Sequence, residues 1–233
     1  MDNEHYDETI VDIIDTYNSV LKNLDNDAQN QKDRAYGGVL RSNKGNLLER
    51  ITHSLIMIAW KEIGGKKNEI KINKQKIKIP IKENYLENLE EIEIKNKIND
   101  FVYKLSVDKH IYIKGKFVIA IECKAYTENA MLKRILVDFS LLKKKFKDLK
   151  CFLFQLESQL GGDFSALKDK PLGSFSTHTL MSYFDFKLNI VTFLEGERKV
   201  DRPIHKYFKP LEEKQLIIAK DLLKKNLEEY LNL

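Results

Sequence analysis

The chain has 233 residues, of which 42% are hydrophobic and 32% are charged, and its 40 Lys and Arg against 35 Asp and Glu give a formal net charge of +5. Ten Gly, four Pro and 10% aromatic residues exclude a fibrous or disordered protein and support one sizeable core. The longest apolar run, Leu55–Trp60, is too short to cross a membrane, and the acidic start is unlike a secretory signal. Two cysteines provide no disulfide framework, so we expect a cytoplasmic protein.

The positive charge is unevenly distributed along the chain. Residues 1–15 contain six acids and no Lys or Arg, whereas residues 61–82 contain eight lysines against two acids. Residues 133–150 contain seven basic residues against two acids. Such clusters attract a polyanion such as nucleic acid, because neutralising phosphates releases condensed counterions. The alternative is that these lysines only solvate the surface of a lysine-rich protein.

The first part of the chain shows the pattern of two amphipathic helices. Apolar residues at helical spacing predict a helix over residues 9–24 and a second over residues 46–63, with a polar, glycine-containing loop over residues 23–44 between them. Alternating Ile and Lys then predict a two-sided strand or hairpin over residues 69–81, with Pro80 at a sheet edge.

The second part predicts strands and helices in alternation. Short strands are predicted at residues 101–105 and 111–113, buried strands at 117–123 and 151–156, a further strand at 188–194, helices at 128–147 and 211–231, and a loop at 161–176. A strand, helix, strand order implies a right-handed crossover and a partly parallel sheet. With no repeat or linker, we expect one α/β domain with a mixed central sheet flanked by helices.

Three side chains of one predicted hairpin, Asp108, Glu122 and Lys124, have the chemistry of a catalytic site. Glu122 and Lys124 share a strand face because side chains alternate, and a turn near Gly115 folds Asp108 back beside them. Two carboxylates suit Mg²⁺, and a lysine beside them can orient a metal-bound water and stabilise charge on a phosphate. These are the parts that phosphodiester hydrolysis needs; the alternative is salt bridging at a solvated surface.

This D-x(13)-E-x-K pattern, on a buried strand that is followed by a helix and a strand, resembles the PD-(D/E)xK nuclease superfamily over about residues 100–156. The resemblance implies a restriction-endonuclease-like core in which Asp108 and Glu122 bind Mg²⁺ and Lys124 is the catalytic lysine. Val107 replaces the family's proline before the first acid. Asp100 is a rival first acid, but it precedes the hairpin and is further from Glu122 in the sequence.

The resemblance also implies a helical glutamate near the metal, and Glu49 is the candidate; the alternative is a first-turn acid favoured by the helix dipole. Residues 34–49 look like a DNA-facing loop of a small type II restriction endonuclease, because Arg can fork onto guanine or phosphate and glycines allow close approach. A helix-entry loop whose Arg41 pairs with an acid is the alternative. The DNA-binding candidates are Arg34, Arg41, Ser42 and Lys44 in this segment, and Thr177, His178, Arg198 and Arg202 further along.

Together these features predict a Mg²⁺-dependent endonuclease that cuts double-stranded DNA at a defined sequence in a restriction–modification system. One active centre per chain predicts a homodimer, with a companion methyltransferase that acts on the same site without a stable complex. The single nuclease domain over residues 1–233 would have its catalytic core at about 45–156, with helix 9–24 and segment 157–233 elaborating DNA recognition or dimerisation. A repair or recombination nuclease of the same superfamily, and a non-catalytic DNA-binding protein, are the alternatives.

Overall fold

The computed structural model describes residues 8–30, 35–86, 100–165 and 172–231. The helices are α1 (Ile10–Asn30), α2 (Tyr36–Glu62), α3 (Glu83–Leu86), α4 (Asn129–Lys145), α5 (Phe175–Ser182) and α6 (Glu213–Leu227), with short 3₁₀ turns at Lys67–Glu69 and Glu228–Tyr230. The strands are β1 (Ile70–Asn73), β2 (Ile77–Pro80), β3 (Val102–Leu105), β4 (Lys109–Ile113), β5 (Lys116–Glu128), β6 (Lys150–Gln159) and β7 (Leu188–Thr192). None of the helices in these ranges has the length and apolarity that crossing a bilayer needs.

Five strands form a mixed central sheet in the order β1-β4-β5-β6-β7. The pairs β1–β4 and β4–β5 are antiparallel, and β5–β6 and β6–β7 are parallel, with α4 connecting the first parallel pair. A separate two-stranded antiparallel sheet contains β2 and β3. The α/β class, the mixed sheet and the parallel crossover pair are therefore confirmed.

Helices cover both faces of the central sheet, and each face has its own apolar cluster. Phe154 of β6 packs in a cluster with residues of α1, α2 and α6, whereas its neighbour Leu153 packs in a second cluster with residues of α4. Successive side chains of a strand point to opposite faces, so both faces of β6 are apolar and buried. Burial of these two apolar clusters is the main source of hydrophobic stabilisation, and it fixes the position of β5 between its neighbours.

Helix α2 begins at Tyr36, about three turns before the predicted start, so the expected DNA-facing loop is helical. The reason is tertiary packing. Val39 and Leu40 are buried in a small cluster with Leu24 and Ala28, which also extends α1 to Asn30. Burying these side chains outweighs the poor helix propensity of the three glycines in the segment.

The segment predicted as one strand or hairpin forms two strands that belong to different sheets. In β1, Ile70 pairs with Ile113, and in β2, Ile77 pairs with Leu105. Because alternation identifies a strand but not its partner, the pattern could not show that residues 74–76 pass from one sheet to the other. Pro80 ends β2, which among the described strands pairs only with β3, in agreement with its predicted edge position.

The predicted loop at residues 161–176 ends in a helix that sequence reasoning missed. Ser174 caps α5, its Oγ accepting the Thr177 N–H at 3.3 Å. Thr177 is fully buried, and its hydroxyl donates to the Leu160 carbonyl oxygen at 2.8 Å. The predicted DNA contact of Thr177 therefore has no support in this position, because its hydroxyl is buried and already donates to the backbone.

Candidate active site

The β4–β5 hairpin brings Asp108 to the strand that carries the other two predicted catalytic residues. Lys109 pairs with Ile121, and continuing this antiparallel register by one residue places Asp108 across from Glu122. Oδ2 of Asp108 accepts the backbone N–H of Cys123 at 2.9 Å, and its side chain is only 12% exposed. This hydrogen bond fixes the first carboxylate against β5. Asp100, the rival first acid, is exposed and lies before β3 of the smaller sheet.

Glu122 and Lys124 lie two residues apart on β5 and interact directly. The Lys124 ammonium donates to Oε1 of Glu122, and it lies 3.8 Å from Oδ2 of Asp108. The structure thus places the three side chains of the motif within one set of contacts, largely shielded from solvent. This arrangement differs from the solvated surface salt bridge that was the alternative, because both carboxylates are mostly buried.

Burial and a neighbouring carboxylate disfavour the charged form of Glu122. Burial raises the pKa of Glu122, the nearby charge of Asp108 raises it further, and Lys124 only partly offsets these effects. The two negative charges repel each other, and positive charge beside them, such as that of Lys124, relieves this repulsion. An all-oxygen donor pair suits a hard divalent cation that keeps several waters. Within the described ranges no three His, Cys, Asp or Glu side chains converge closely enough to form a metal centre made of protein ligands alone.

Glu49 lies at the same site, on the part of α2 that packs against the sheet. Its Oε2 is 3.6 Å from Nζ of Lys109, and its Oε1 is 3.2 Å from Nζ of Lys74. Because α2 begins at Tyr36, Glu49 is in the fourth turn, where the dipole of the helix start has little effect. The first-turn explanation for this glutamate is therefore wrong.

Two lysines of the site, Lys74 and Lys109, were missed by sequence reasoning. Lys74 contacts both Asp108 and Glu49. Burial by itself would lower the pKa of Lys74, but its hydrogen bond to Asp108 and the charges of Asp108 and Glu49 outweigh this effect and raise the pKa. The sequence showed Lys74 only as one of eight lysines in a basic segment, and no local signal distinguished it from the others.

The DNA-binding candidates on α2 lie on its first three turns. Arg41 is exposed and forms no ion pair with an acid of the described ranges, so the proposed Arg41–acid pairing has no support there. Ser42 is half-buried, and Nζ of Lys44 lies 3.1 Å from Nδ1 of His205. Burial lowers the pKa of Lys44. Arg34 lies outside the described residues.

The candidates in the C-terminal segment are more widely separated. The Arg198 guanidinium stacks 3.8 Å from the centroid of the Tyr126 ring, and it donates to Oε1 of Gln159 at 2.6 Å. Tyr126 lies two residues beyond Lys124 on β5, so Arg198 is held close to the motif. Arg202 is exposed, and His178 is half-buried on α5.

Comparison with known proteins identifies the family to which the chain belongs. No family model matches the sequence. Over 234 residues the chain is 50% identical to the type II restriction enzyme DdeI of Desulfomicrobium norvegicum, and the match covers 96% of this chain and 98% of that enzyme. A chain of the native BbvCI A2B2 tetramer is 13% identical, covers 92% of each chain and has a TM-score of 0.35. Half of all residues shared over nearly the whole length, together with the nuclease motif, show that the chain belongs to the type II restriction enzymes.

Proposed function

We propose that this protein is a Mg²⁺-dependent endonuclease that hydrolyses phosphodiester bonds at a defined sequence of double-stranded DNA, with Asp108, Glu122, Lys124 and Glu49 as its catalytic groups. The observation that carries the proposal is the convergence of Asp108, Glu122 and Lys124 at the end of one hairpin. That convergence occurs in a chain that shares half its residues with a type II restriction enzyme.

Asp108 and Glu122 would hold the metal, since their carboxylates are adjacent and provide only oxygen ligands. When bound, Mg²⁺ supplies Lewis-acid stabilisation of the phosphate and lowers the pKa of a water molecule. The Cys123 N–H keeps Asp108 oriented. The Lys124 ammonium, which lies beside Asp108, would orient the attacking water and stabilise negative charge on the phosphate. Glu49 would take part from α2, directly or through water.

DNA binding is supported by cationic side chains around this site. Arg198 lies against Tyr126 near the motif, and its planar guanidinium suits phosphate or guanine. Arg41, Ser42 and Lys44 would present a second group of contacts from α2, and Arg202 and His178 would add contacts from the C-terminal segment. Arg34 precedes α2 in the sequence, and we assign it to the same group of DNA contacts as Arg41, Ser42 and Lys44.

The proposed reaction implies a homodimer and a companion methyltransferase. A chain with one active centre that cuts both strands of a symmetric site acts as a homodimer with a matching two-fold axis. A companion methyltransferase would protect the same sequence in host DNA without forming a stable complex, and both would act in the cytoplasm. We also infer that residues 1–233 form a single nuclease domain, because the elements of the described ranges pack on one central sheet.

Plasmid digestion tests the proposal. With Mg²⁺ the protein is expected to give discrete fragments with identical ends, and sequencing the ends reads out the recognition site and the cut position. Asp108→Asn is expected to abolish cleavage while DNA binding persists. A continuous smear of products would favour the repair or recombination nuclease, and DNA binding without cleavage in any divalent ion would favour the non-catalytic alternative.

A further inference from the structure

Lys74 lies in the three-residue connection between β1 and β2, where the chain passes from the central sheet to the smaller one. Its ammonium contacts Oδ1 of Asp108, and it lies 3.2 Å from Oε1 of Glu49. The two carboxylates come from elements far apart in the sequence, so this lysine joins the hairpin to α2. The other oxygen of Asp108 is held by the Cys123 N–H.

The side chains that the ion pairs of the site connect carry equal numbers of positive and negative charges. Three carboxylates face three ammonium groups, and the ion pairs connect them in one chain: Glu122, Lys124, Asp108, Lys74, Glu49 and Lys109. A divalent cation bound to Asp108 adds two positive charges to this balanced group. Positive charge therefore has to leave the carboxylates for the cation to bind strongly.

Of the three ammonium groups, that of Lys74 can leave the carboxylates at the lowest cost in free energy. Its side chain is 50% exposed, whereas that of Lys109 is 14% exposed. The Lys124 side chain is 34% exposed, and Lys124 is paired with Gln155 of β6 in the central sheet. Lys74 also has no strand pairing of its own, so its long side chain can turn into solvent without disturbing the central sheet.

We propose that Lys74 is an internal counter-cation of the active site: when no metal is bound, its ammonium occupies an oxygen of the metal ligand Asp108 and is held there by Glu49, and it must withdraw from Asp108 when the divalent ion binds. Lys74 thereby sets the metal concentration at which the site fills. This inference rests on the proposed function, because it takes Asp108 as a metal ligand.

Metal binding measured without DNA tests the competition directly. Mn²⁺, which takes the same oxygen ligands as Mg²⁺, is titrated calorimetrically into the wild type and into Lys74→Met, which keeps the chain length and removes the charge. We expect Lys74→Met to bind Mn²⁺ about tenfold more tightly, because a charge-assisted hydrogen bond to Asp108 no longer has to break. Unchanged or weaker binding would overturn the proposal.

Lys76→Met is the matched control. Lys76 lies in the same connection and carries the same charge, but it is exposed and forms no ion pair with an acid of the described ranges. Lys76→Met is expected to bind Mn²⁺ as the wild type does. An equal gain in both variants would mean that only the overall charge matters, and this would also overturn the proposal.

A measurement on the wild-type protein keeps the proposal testable if Lys74→Met fails to fold. Acetylation of individual lysines is followed by mass spectrometry with and without Mn²⁺. An amine in an ion pair reacts slowly, so Mn²⁺ is expected to speed the acetylation of Lys74 several-fold and to leave Lys76 unchanged. An unchanged rate at Lys74 would contradict the displacement.

The Asp108→Asn variant separates this inference from the proposed function. If Asp108→Asn still cleaves DNA, the proposed catalytic site is wrong and Lys74 loses its role with it. If Asp108→Asn loses both cleavage and Mn²⁺ binding while Lys74→Met binds Mn²⁺ as the wild type does, the catalytic site stands and only the counter-cation proposal fails.

Discussion

Lys124 has the most exposed side chain of the three motif residues, and it contacts both carboxylates of the motif. Lys124→Ala removes the ammonium that would stabilise the phosphate, so we expect the cleavage rate to fall by about 10²–10³-fold or more. DNA binding is expected to change little. Cleavage rates on plasmid DNA and band-shift titrations measure the two effects separately.

Lys133→Ala is the control for this variant, because Lys133 is an exposed lysine on α4. It is expected to cleave at the wild-type rate. If Lys124→Ala also cleaved at close to the wild-type rate, Lys124 would have no catalytic role.

His110 gives a pH-dependent prediction two residues from Asp108. It is fully buried, its Nε2 accepts the Val107 N–H at 3.2 Å, and burial lowers its pKa to about 4. In the unfolded chain the pKa of this histidine is about 6.5. The free energy of unfolding therefore keeps its full value above pH 6.5 and decreases as the pH falls from 6.5 towards 4, because in this range the unfolded chain takes up the proton more readily than the folded protein. The loss is roughly 3 kcal/mol.

Urea unfolding of the wild type and of His110→Leu across this pH range measures the effect. The variant is expected to lack this part of the pH dependence, whatever its stability at neutral pH. Parallel curves for the two proteins between pH 6.5 and 4 would show that other groups cause the acid destabilisation.

At the scale of elements, the early start of α2 has a simple test. Gly45 lies within the helix, and a Cβ added there would meet no atom within 4 Å. Gly45→Ala is therefore expected to raise the free energy of unfolding by about 0.5–1 kcal/mol, measured by denaturant titration. If the helix began only at residue 46, as the sequence predicted, Gly45 would precede it and the same change would give no such gain.

Gly65→Ala is the opposite case and serves as a comparison. A Cβ at Gly65 would overlap the ring of Trp60, which is fully buried. This variant is expected to be clearly destabilised, because either the backbone or the indole has to move. Equal effects at Gly45 and Gly65 would contradict the described environments.

At the scale of the whole molecule, the proposed homodimer with one active centre per chain predicts how mixed dimers behave. When inactive Lys124→Ala protein and wild-type protein exchange subunits, each mixed dimer has a single working centre. We expect nicked circles to accumulate on supercoiled plasmid. Gel electrophoresis of the products over time measures the fractions of nicked and linear plasmid.

Two measurements test the proposed dimer. Linear product without a nicked excess would mean that the mixed assembly does not cut as a two-centre dimer. Sedimentation of the protein with DNA provides the independent check, since a chain of 27.3 kDa is expected to bind as a pair.

The sequence alone determined those features that depend on neighbouring residues. Glu122 and Lys124 share a strand, and the short hairpin brings Asp108 beside them, because antiparallel strands joined by a tight turn leave few possible registers. The mixed sheet followed from a helix between two buried strands. The nuclease family followed from the same motif.

Only the tertiary structure decided which distant segments meet. Burial of Val39 and Leu40 against α1 made a glycine-containing segment helical, and the separate partners of β1 and β2 placed Lys74 between Asp108 and Glu49. Local patterns report which residues prefer to be buried or extended. They do not report their partners, because partner choice depends on packing between residues that are tens of positions apart.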